Sequence, residues 1–325
     1  MKFAWLCSHE SYQPEELVTQ AVAAEAAGFD AVFASDHFHP WVDDTSAAGF
    51  VWSWFGAVAA RTEHVELATS VTAPLFHYHP GLIAQAAATV DRLSGGRFRL
   101  GVGTGEAINE GPLGFAFPGY KERAGRLSEA IEIMRRLLEG EKLTFEGAYY
   151  RTDRAKLYSP PTGEVPIWMA AGGEKSAAMA GREADGLIVS VKEPDEAKTK
   201  VIGPFREAAA SDKTIVATRW CVLADTDEDA WSALSSMRGL RAPGRLEAVD
   251  PKDLRERADE MPRDEILGKY AVARSIDELV ATYKPLVEEV GADYVSIQVA
   301  SLDPLATIDL VGRSVLPALR ASVTA

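Results

Sequence analysis

The chain has 325 residues, 47% of them apolar and 25% charged, an ordinary composition for a soluble globular protein. Its 34 basic and 48 acidic side chains give a net charge of -14, which excludes a broad electrostatic surface for nucleic acid or anionic membrane. Any anionic ligand must therefore be held by local cations or by helix N-termini.

Strand-like and helix-like segments alternate along the chain. Residues 2–7 read as a first strand. Pro14 opens a helix with Glu15 and Glu16 in its first turn, Leu17, Ala21 and Ala24 on one face, and Gly28 as the stop. Residues 30–35 form a second strand, 47–60 an apolar helix and 65–71 a third strand. A helix over 80–93 stops at Gly95-Gly96 and leads into a fourth strand at 98–102. Residues 121–139 carry a strong amphipathic pattern, with Leu127, Ala130, Ile131, Met134 and Leu138 on one side. Residues 143–158 read as a hairpin excursion. Further strands are expected at 165–170, 186–191, 214–224 and 293–300.

Eight strands with intervening helices predict an α/β fold, a (β/α)8 TIM barrel forming one domain over 1–325, with insertions after strands 4 and 7. A doubly wound sheet would also alternate, but eight units over this length favour closure. Residues 240–267 break the rhythm. They are charge-rich, carry Pro243, Pro251 and Pro262, and read as a substrate-side insertion, either a lid or a solvated helical excursion. Cys7 and Cys221 lie in apolar runs with no Cys-x-x-Cys, which suggests reduced, buried thiols in a cytoplasmic protein. No signal-peptide h-region is expected, and no apolar run approaches the ~18–20 residues of a bilayer span.

The chemistry-bearing residues gather at strand ends. Ser35-Asp36-His37-Phe38-His39-Pro40-Trp41 follows the second strand, where this fold keeps catalytic groups. The alternative is a strand cap with Trp41 packed on the barrel rim. Gly101-Val102-Gly103-Thr104-Gly105-Glu106 follows the fourth strand; its glycines admit a ligand close to the backbone, and Glu106 is a candidate acid. Ala170-Ala171-Gly172-Gly173 ends the fifth strand and opens a helix, either a phosphate site or a plain tight turn. His37, His39, His77 and His79 lack a supporting carboxylate pattern, so no metal is expected. No Gly-x-Ser-x-Gly elbow supports serine hydrolysis. Residues 47–60 and 80–89 are unusually apolar, with Trp52, Trp54 and Phe55 close together. They suggest a face buried against a second subunit, or packing beneath the insertion.

Four segments occur in order: Ser35-Asp36-His37-Phe38-x-Pro40-Trp41, Ala68-Thr69-Ser70-Val71, Gly101-Val102-Gly103-Thr104-Gly105-Glu106-Ala107-x-Asn109-Glu110, and Ala170-Ala171-Gly172-Gly173. Together the chain resembles the deazaflavin-dependent branch of the bacterial luciferase-like superfamily, most closely its coenzyme F420-dependent sugar-6-phosphate dehydrogenases. The resemblance runs over nearly the whole chain. It implies hydride transfer from C1 of a hexose 6-phosphate, glucose 6-phosphate first, to coenzyme F420, giving a 6-phosphogluconolactone. It also implies a homodimer.

By matching position, Asp36, Thr104, Gly105 and Asn109 would bind the coenzyme. Ser70-Val71 would form a non-prolyl cis peptide behind its ring, and Ala171, Gly172 and Gly173 would hold its phosphate. His37 would be the base, Glu106 the acid near the deazaflavin N1, Trp41 the cover of the reacting centre, and Glu10 a carboxylate near the sugar. The substrate phosphate would meet Lys192, Arg245 and Lys269. The last two exchange lysine and arginine types relative to the family, and Leu246 replaces a histidine, which alters the sugar-facing wall. The competing readings are a deazaflavin-dependent alcohol dehydrogenase or reductase on an uncharged substrate, and a luciferase-type flavin monooxygenase.

Overall fold

The computed structural model describes residues 1–323. The strands are β1 (Lys2–Cys7), β2 (Ala31–Ala34), β3 (Glu66–Thr69), β4 (Phe98–Val102), β5 (Leu143–Glu146), β6 (Arg151–Ala155), β7 (Ile167–Ala170), β8 (Gly186–Ser190), β9 (Thr214–Leu223), β10 (Ala271–Ala273) and β11 (Tyr294–Ala300). In the order β1-β2-β3-β4-β7-β8-β9-β11 they pair in parallel and close on β1, an eight-stranded barrel. The TIM-barrel expectation is met. β5 and β6 form a separate antiparallel hairpin, the excursion expected over 143–158.

Period-two alternation explains the closure. Ala4, Leu6, Ala31, Phe33, Ala68, Trp168, Ile188 and Val216 fill the lumen, where Trp168 packs against Phe33 and Tyr294. Their neighbours Phe3, Trp5, Val32, Leu67 and Leu100 face outward into a second shell of core beneath the helices. At the floor of the barrel, Glu66 accepts from Lys2 at 3.0 Å, from Arg99 at 2.7 Å and from the Tyr294 hydroxyl at 2.6 Å. The floor is thus sealed by satisfied charge, and the opposite mouth is left for chemistry.

The helices of the first half are α1 (Pro14–Ala26), α2 (Val51–Ala59), α3 (Pro80–Leu93), the short α4 (Ala107–Glu110), α5 (Tyr120–Leu138) and α6 (Glu174–Glu183). α1 starts with Pro14 at its first position and a Glu16 carboxylate bonded to the Gln13 amide at 2.8 Å, and Gly28 follows it with a positive φ of 86. α2 begins at Val51, four residues later than its apolar composition suggested. Its Trp52, Trp54 and Phe55 do not form an outer face for a second subunit; they are buried in the main core, with Trp52 and Phe55 against Phe98. The apolar run is explained by the inner packing of this chain.

α7 (Pro194–Ala197) passes through a π turn at Lys198–Ile202 into α8 (Gly203–Ala208). α9 (Asp227–Ala233), α10 (Pro251–Asp259) and α11 (Arg263–Leu267) follow β9, and β10 then pairs with the upper end of β9. α12 (Ile276–Glu288) leads to β11. α13 (Pro304–Leu310) and α14 (Leu316–Val323), joined by a second π turn, close the outer ring. The stretch over 240–267 therefore contributes two short helices and has a core of its own, in which Leu234, Met237, Leu254, Ile266 and Tyr270 surround Trp41. Arg238, buried, ties this region together through Asp44 at 2.7 Å and Asp259 at 2.8 Å.

Gly101 marks the tightest point of the barrel wall. Thr69 Oγ1 donates to its carbonyl at 2.7 Å and accepts from its amide at 2.8 Å, and a Cβ there would overlap the Thr69 carbonyl oxygen. Gly101→Ala is expected to lower stability by about 1–3 kcal/mol or more through overpacking. Gly56→Ala, in the middle of α2 with open space around it, is expected to raise stability by about 0.5–1 kcal/mol. Thermal unfolding of the two variants reads both signs.

Candidate active site

The C-terminal ends of the barrel strands surround a cavity of about 500 Å³. Its lining includes Glu10, Asp36, His37, Trp41, Ser70 and Val71. Thr104, Gly105, Glu106, Asn109, Ala171, Gly172 and Arg245 complete the expected residues that line it. Gly173, Lys192 and Lys269 lie outside that lining.

His37 sits at the centre. Its Nδ1 lies 3.0 Å from the carbonyl of His39, and since a carbonyl only accepts, Nδ1 carries the proton. Nε2 is then the free acceptor in the neutral ring. It faces Glu10 Oε1 at 3.7 Å and Glu106 Oε2 at 3.6 Å. Trp41 meets the ring edge-on, with centroids 4.9 Å apart, and is itself buried.

Glu10 is buried, not a surface carboxylate. It accepts from the Ser8 hydroxyl at 3.0 Å and from that of Ser35. Burial alone would raise this carboxyl, but the positive charge His37 carries when protonated, and then the Ser35 hydroxyl, outweigh it and hold Glu10 below the usual carboxylate value. Asp36 accepts from Thr72 Oγ1 at 2.6 Å and from the Tyr78 hydroxyl at 3.3 Å. Here burial wins over the Thr72 hydrogen bond and the nearby His77, and the carboxyl is pushed up.

The wall expected to hold the coenzyme has three backbone features. The Ser70–Val71 peptide is cis, as the resemblance implied. Gly103 lies against it, since a Cβ there would meet Val71 Cγ2 at 2.8 Å. Gly105 adopts a positive φ of 70, where a side chain is disfavoured, and the chain turns from it into Glu106 and α4. Asn109 accepts from the amides of Phe38 at 3.0 Å and His39 at 3.4 Å, so it also holds the His37 loop. At the far side Gly173 caps α6, and a Cβ on Gly172 or Gly173 would meet nothing within 4 Å. That open helix N-terminus suits a phosphate. A deep mouth, a flat backbone wall and an anion cradle fit an F420-type coenzyme.

The three basic residues assigned to a substrate phosphate do not converge. Arg245 lies over the main cavity, its Nη1 2.6 Å from Glu106 Oε1 and its guanidinium 5.4 Å from the Trp41 ring centre. Lys192 and Lys269 line a side pocket of about 190 Å³ together with Arg219 and Arg241. Arg241, Ser190 and Trp220 belong to both cavities, which makes the side pocket an annex of the mouth. Among the described residues no carboxylate lies within ion-pair distance of Lys192 or Arg241, and the buried Arg241 Nε has no hydrogen-bond partner. The Arg241 cation, then burial and Lys269, push the Lys192 ammonium down. Lys269 pairs with Glu265 at 3.4 Å, so the pocket as a whole carries more positive than negative charge in a protein of net charge -14.

Arg241 was missed because the charge-rich stretch offers many arginines without a period to rank them. Also unread were Ser8, Thr72, Tyr78 and the buried Glu110–His77 pair at 2.7 Å behind the cavity. Glu110 alone had a signal, as the last residue of the fourth-strand motif. Both thiols are buried, unpaired and pushed up by burial, which removes them as nucleophiles. Among the described residues no cluster could hold a metal ion, and no helix is long and apolar enough to cross a membrane.

Comparison with known proteins agrees with this architecture. Residues 1–294 match the luciferase-like monooxygenase family. An F420-dependent glucose-6-phosphate dehydrogenase of Nakamurella multipartita is 38% identical over 99% of this chain and 98% of its own length. One from Nocardia farcinica is likewise 38% identical, over 99% and 98%. Among solved structures, an F420-dependent secondary alcohol dehydrogenase in complex with an F420-acetone adduct superposes with a TM-score of 0.91 at 31% identity, covering 98% of this chain and 99% of the other. The chain belongs to the luciferase-like monooxygenase family, on its F420-dependent branch.

Proposed function

We propose that the protein is an F420-dependent sugar-6-phosphate dehydrogenase, taking a hydride from C1 of a hexose 6-phosphate, with glucose 6-phosphate the first candidate. The observation that carries it is the shared position of Arg241. One mouth holds a histidine base between two carboxylates, and the same arginine opens it into a pocket lined by Lys192, Arg219, Arg241 and Lys269, of which only Lys269 has an ion-pair partner among the described residues.

Bound coenzyme F420 supplies the hydride acceptor. Asp36, Ser70, Val71, Thr104, Gly105 and Asn109 would hold it against the wall, with Ala171, Gly172 and Gly173 at its phosphate. His37 Nε2, free of its own proton, takes the proton of the anomeric hydroxyl as C1 loses its hydride and becomes a lactone carbonyl. Glu10 and Glu106 face the imidazolium so formed. Glu106 Oε2, 3.6 Å from His37 Nε2, is the group placed to take that proton from the histidine and pass it to the coenzyme side. Trp41 excludes water from one face of the histidine. Lys192, Arg241 and Lys269 would take the sugar phosphate, with Arg219 bracing Lys192 through its carbonyl at 2.9 Å.

A second reading, oxidation of a secondary alcohol, draws on the 0.91 TM-score of the alcohol dehydrogenase. It shares the coenzyme wall and leaves the cation pocket without a ligand. A homodimer rests on the family resemblance, and the exposed Phe50 at the start of α2 and Leu82 in α3 are compatible with it. A cytoplasmic location is supported by the two buried, unpaired thiols.

Loss of absorbance of oxidised F420 separates the two enzyme readings. Reduction with glucose 6-phosphate is expected, but not with fructose 6-phosphate, whose anomeric carbon carries no hydrogen, nor with glucose or 2-propanol; reduction with 2-propanol alone would move the protein to the second reading. His37→Ala is expected to lower kcat about 10²–10⁴-fold, the usual worth of a general base, with coenzyme affinity little changed. Arg241→Ala is expected to raise KM for the phosphosugar about tenfold to hundredfold, the loss of one charge-assisted hydrogen bond. Steady-state kinetics of the two variants should split cleanly between kcat and KM.

A further inference from the structure

Glu106 uses its two carboxylate oxygens for different purposes. Oε1 receives Arg245 Nη1 at 2.6 Å, and Oε2 faces His37 Nε2 at 3.6 Å. A carboxylate on a single bond can rotate, and a guanidinium fixed on one oxygen stops that rotation and aims the other. Arg245 is itself held. It lies within a turn where the amides of Glu247 and Ala248 bond back to the Gly244 carbonyl at 3.3 and 3.2 Å.

Both ends of this turn are pinned. Arg257 donates to the carbonyls of Pro243 at 3.3 Å and Gly244 at 3.4 Å. At the other end the Val249 carbonyl meets His39 Nδ1 at 3.1 Å, and its side chain packs so closely on Gly111 that a Cβ there would come within 2.7 Å. The Trp41 ring lies beneath the guanidinium at 5.4 Å. His39 and Trp41 flank the His37 loop, so this turn registers the insertion against the same loop that carries the base.

We infer that Arg245 is a positioning residue for the catalytic carboxylate Glu106, not a ligand of the substrate phosphate. Its Nη1 is taken by Glu106, and it lines the main cavity and not the pocket that gathers Lys192, Arg241 and Lys269. The phosphate-binding role implied by family position passes to Arg241. Arg245 acts on turnover by aiming Glu106. This rests on the hydride-transfer reading above.

The test compares Arg245→Ala, Arg245→Lys and Arg241→Ala. It uses kcat and KM for glucose 6-phosphate, with F420 affinity read from its fluorescence as a check on the folded coenzyme site. Arg245→Ala is expected to lower kcat about tenfold to hundredfold, at the lower end of a general acid's worth, with KM for the phosphosugar and F420 affinity nearly unchanged. Arg245→Lys should recover part of the loss, since it keeps the charge and loses the planar fork. A rise in KM matching that of Arg241→Ala with kcat intact would overturn the inference, as would kinetics equal to the parent protein. If the parent protein oxidises 2-propanol and no phosphosugar, the sugar-phosphate reading fails by itself. A kcat loss in Arg245→Ala on 2-propanol would still support the positioning role, and an unchanged kcat would sink it.

Discussion

His37 keeps its Nδ1 proton on the carbonyl of His39, which leaves Nε2 alone between Glu10 and Glu106. The rest of the mouth is arranged around that division. Glu10 hangs from the serines after β1 and β2, Glu106 from the glycine turn after β4, and the histidine from the loop after β2. Three strand ends must therefore stay in register with one another. The parallel ladder supplies this rigidity, because its backbone hydrogen bonds are buried and water does not compete for them.

The second core beneath the insertion extends this rigidity to the substrate side. Trp41 belongs to it and to the site at once. Packing of Leu254, Ile266 and Tyr270 thus reaches the reacting centre through one indole. The charges follow the same plan. The protein is acidic as a whole, yet Lys192, Arg219 and Arg241 meet in one annex of one cavity, beside Lys269 and its partner Glu265. A dianion reaching the mouth would meet a local field opposite to that of the surrounding surface.

The barrel was legible because its strands are continuous apolar runs separated by helices, and the coenzyme wall because glycines there answer backbone needs visible in the residue type. Gly101, Gly103 and Gly105 each meet a neighbour or a positive φ. Glu10 was ambiguous, since a lone carboxylate after a strand is more often solvated and only Ser8 and Ser35 in three dimensions bury it. Arg245 was assigned by position within a variable stretch, where sequence order says little about direction. The structure turns it toward Glu106 and leaves Arg241 facing the lysines. Trp52, Trp54 and Phe55 looked like an outer surface because composition does not say which side of a helix meets the barrel.

The pairing of β10 with β9 has a consequence for how such enzymes diverge. The segment between them leaves the barrel after Leu223 and returns at Ala271, and Ala271 lies across the ladder from Cys221. Exit and re-entry are thus adjacent, like the two ends of a removable cassette. Arg241, Arg245 and Lys269 ride on that cassette, while Asp36, the cis peptide and the glycine cradle stay on the barrel. Exchange of this one segment would replace Arg241, Arg245 and Lys269 together and leave the cis peptide and the glycines of the barrel in place, so one side of the mouth could be rewritten at a single pair of neighbouring strands without disturbing the other.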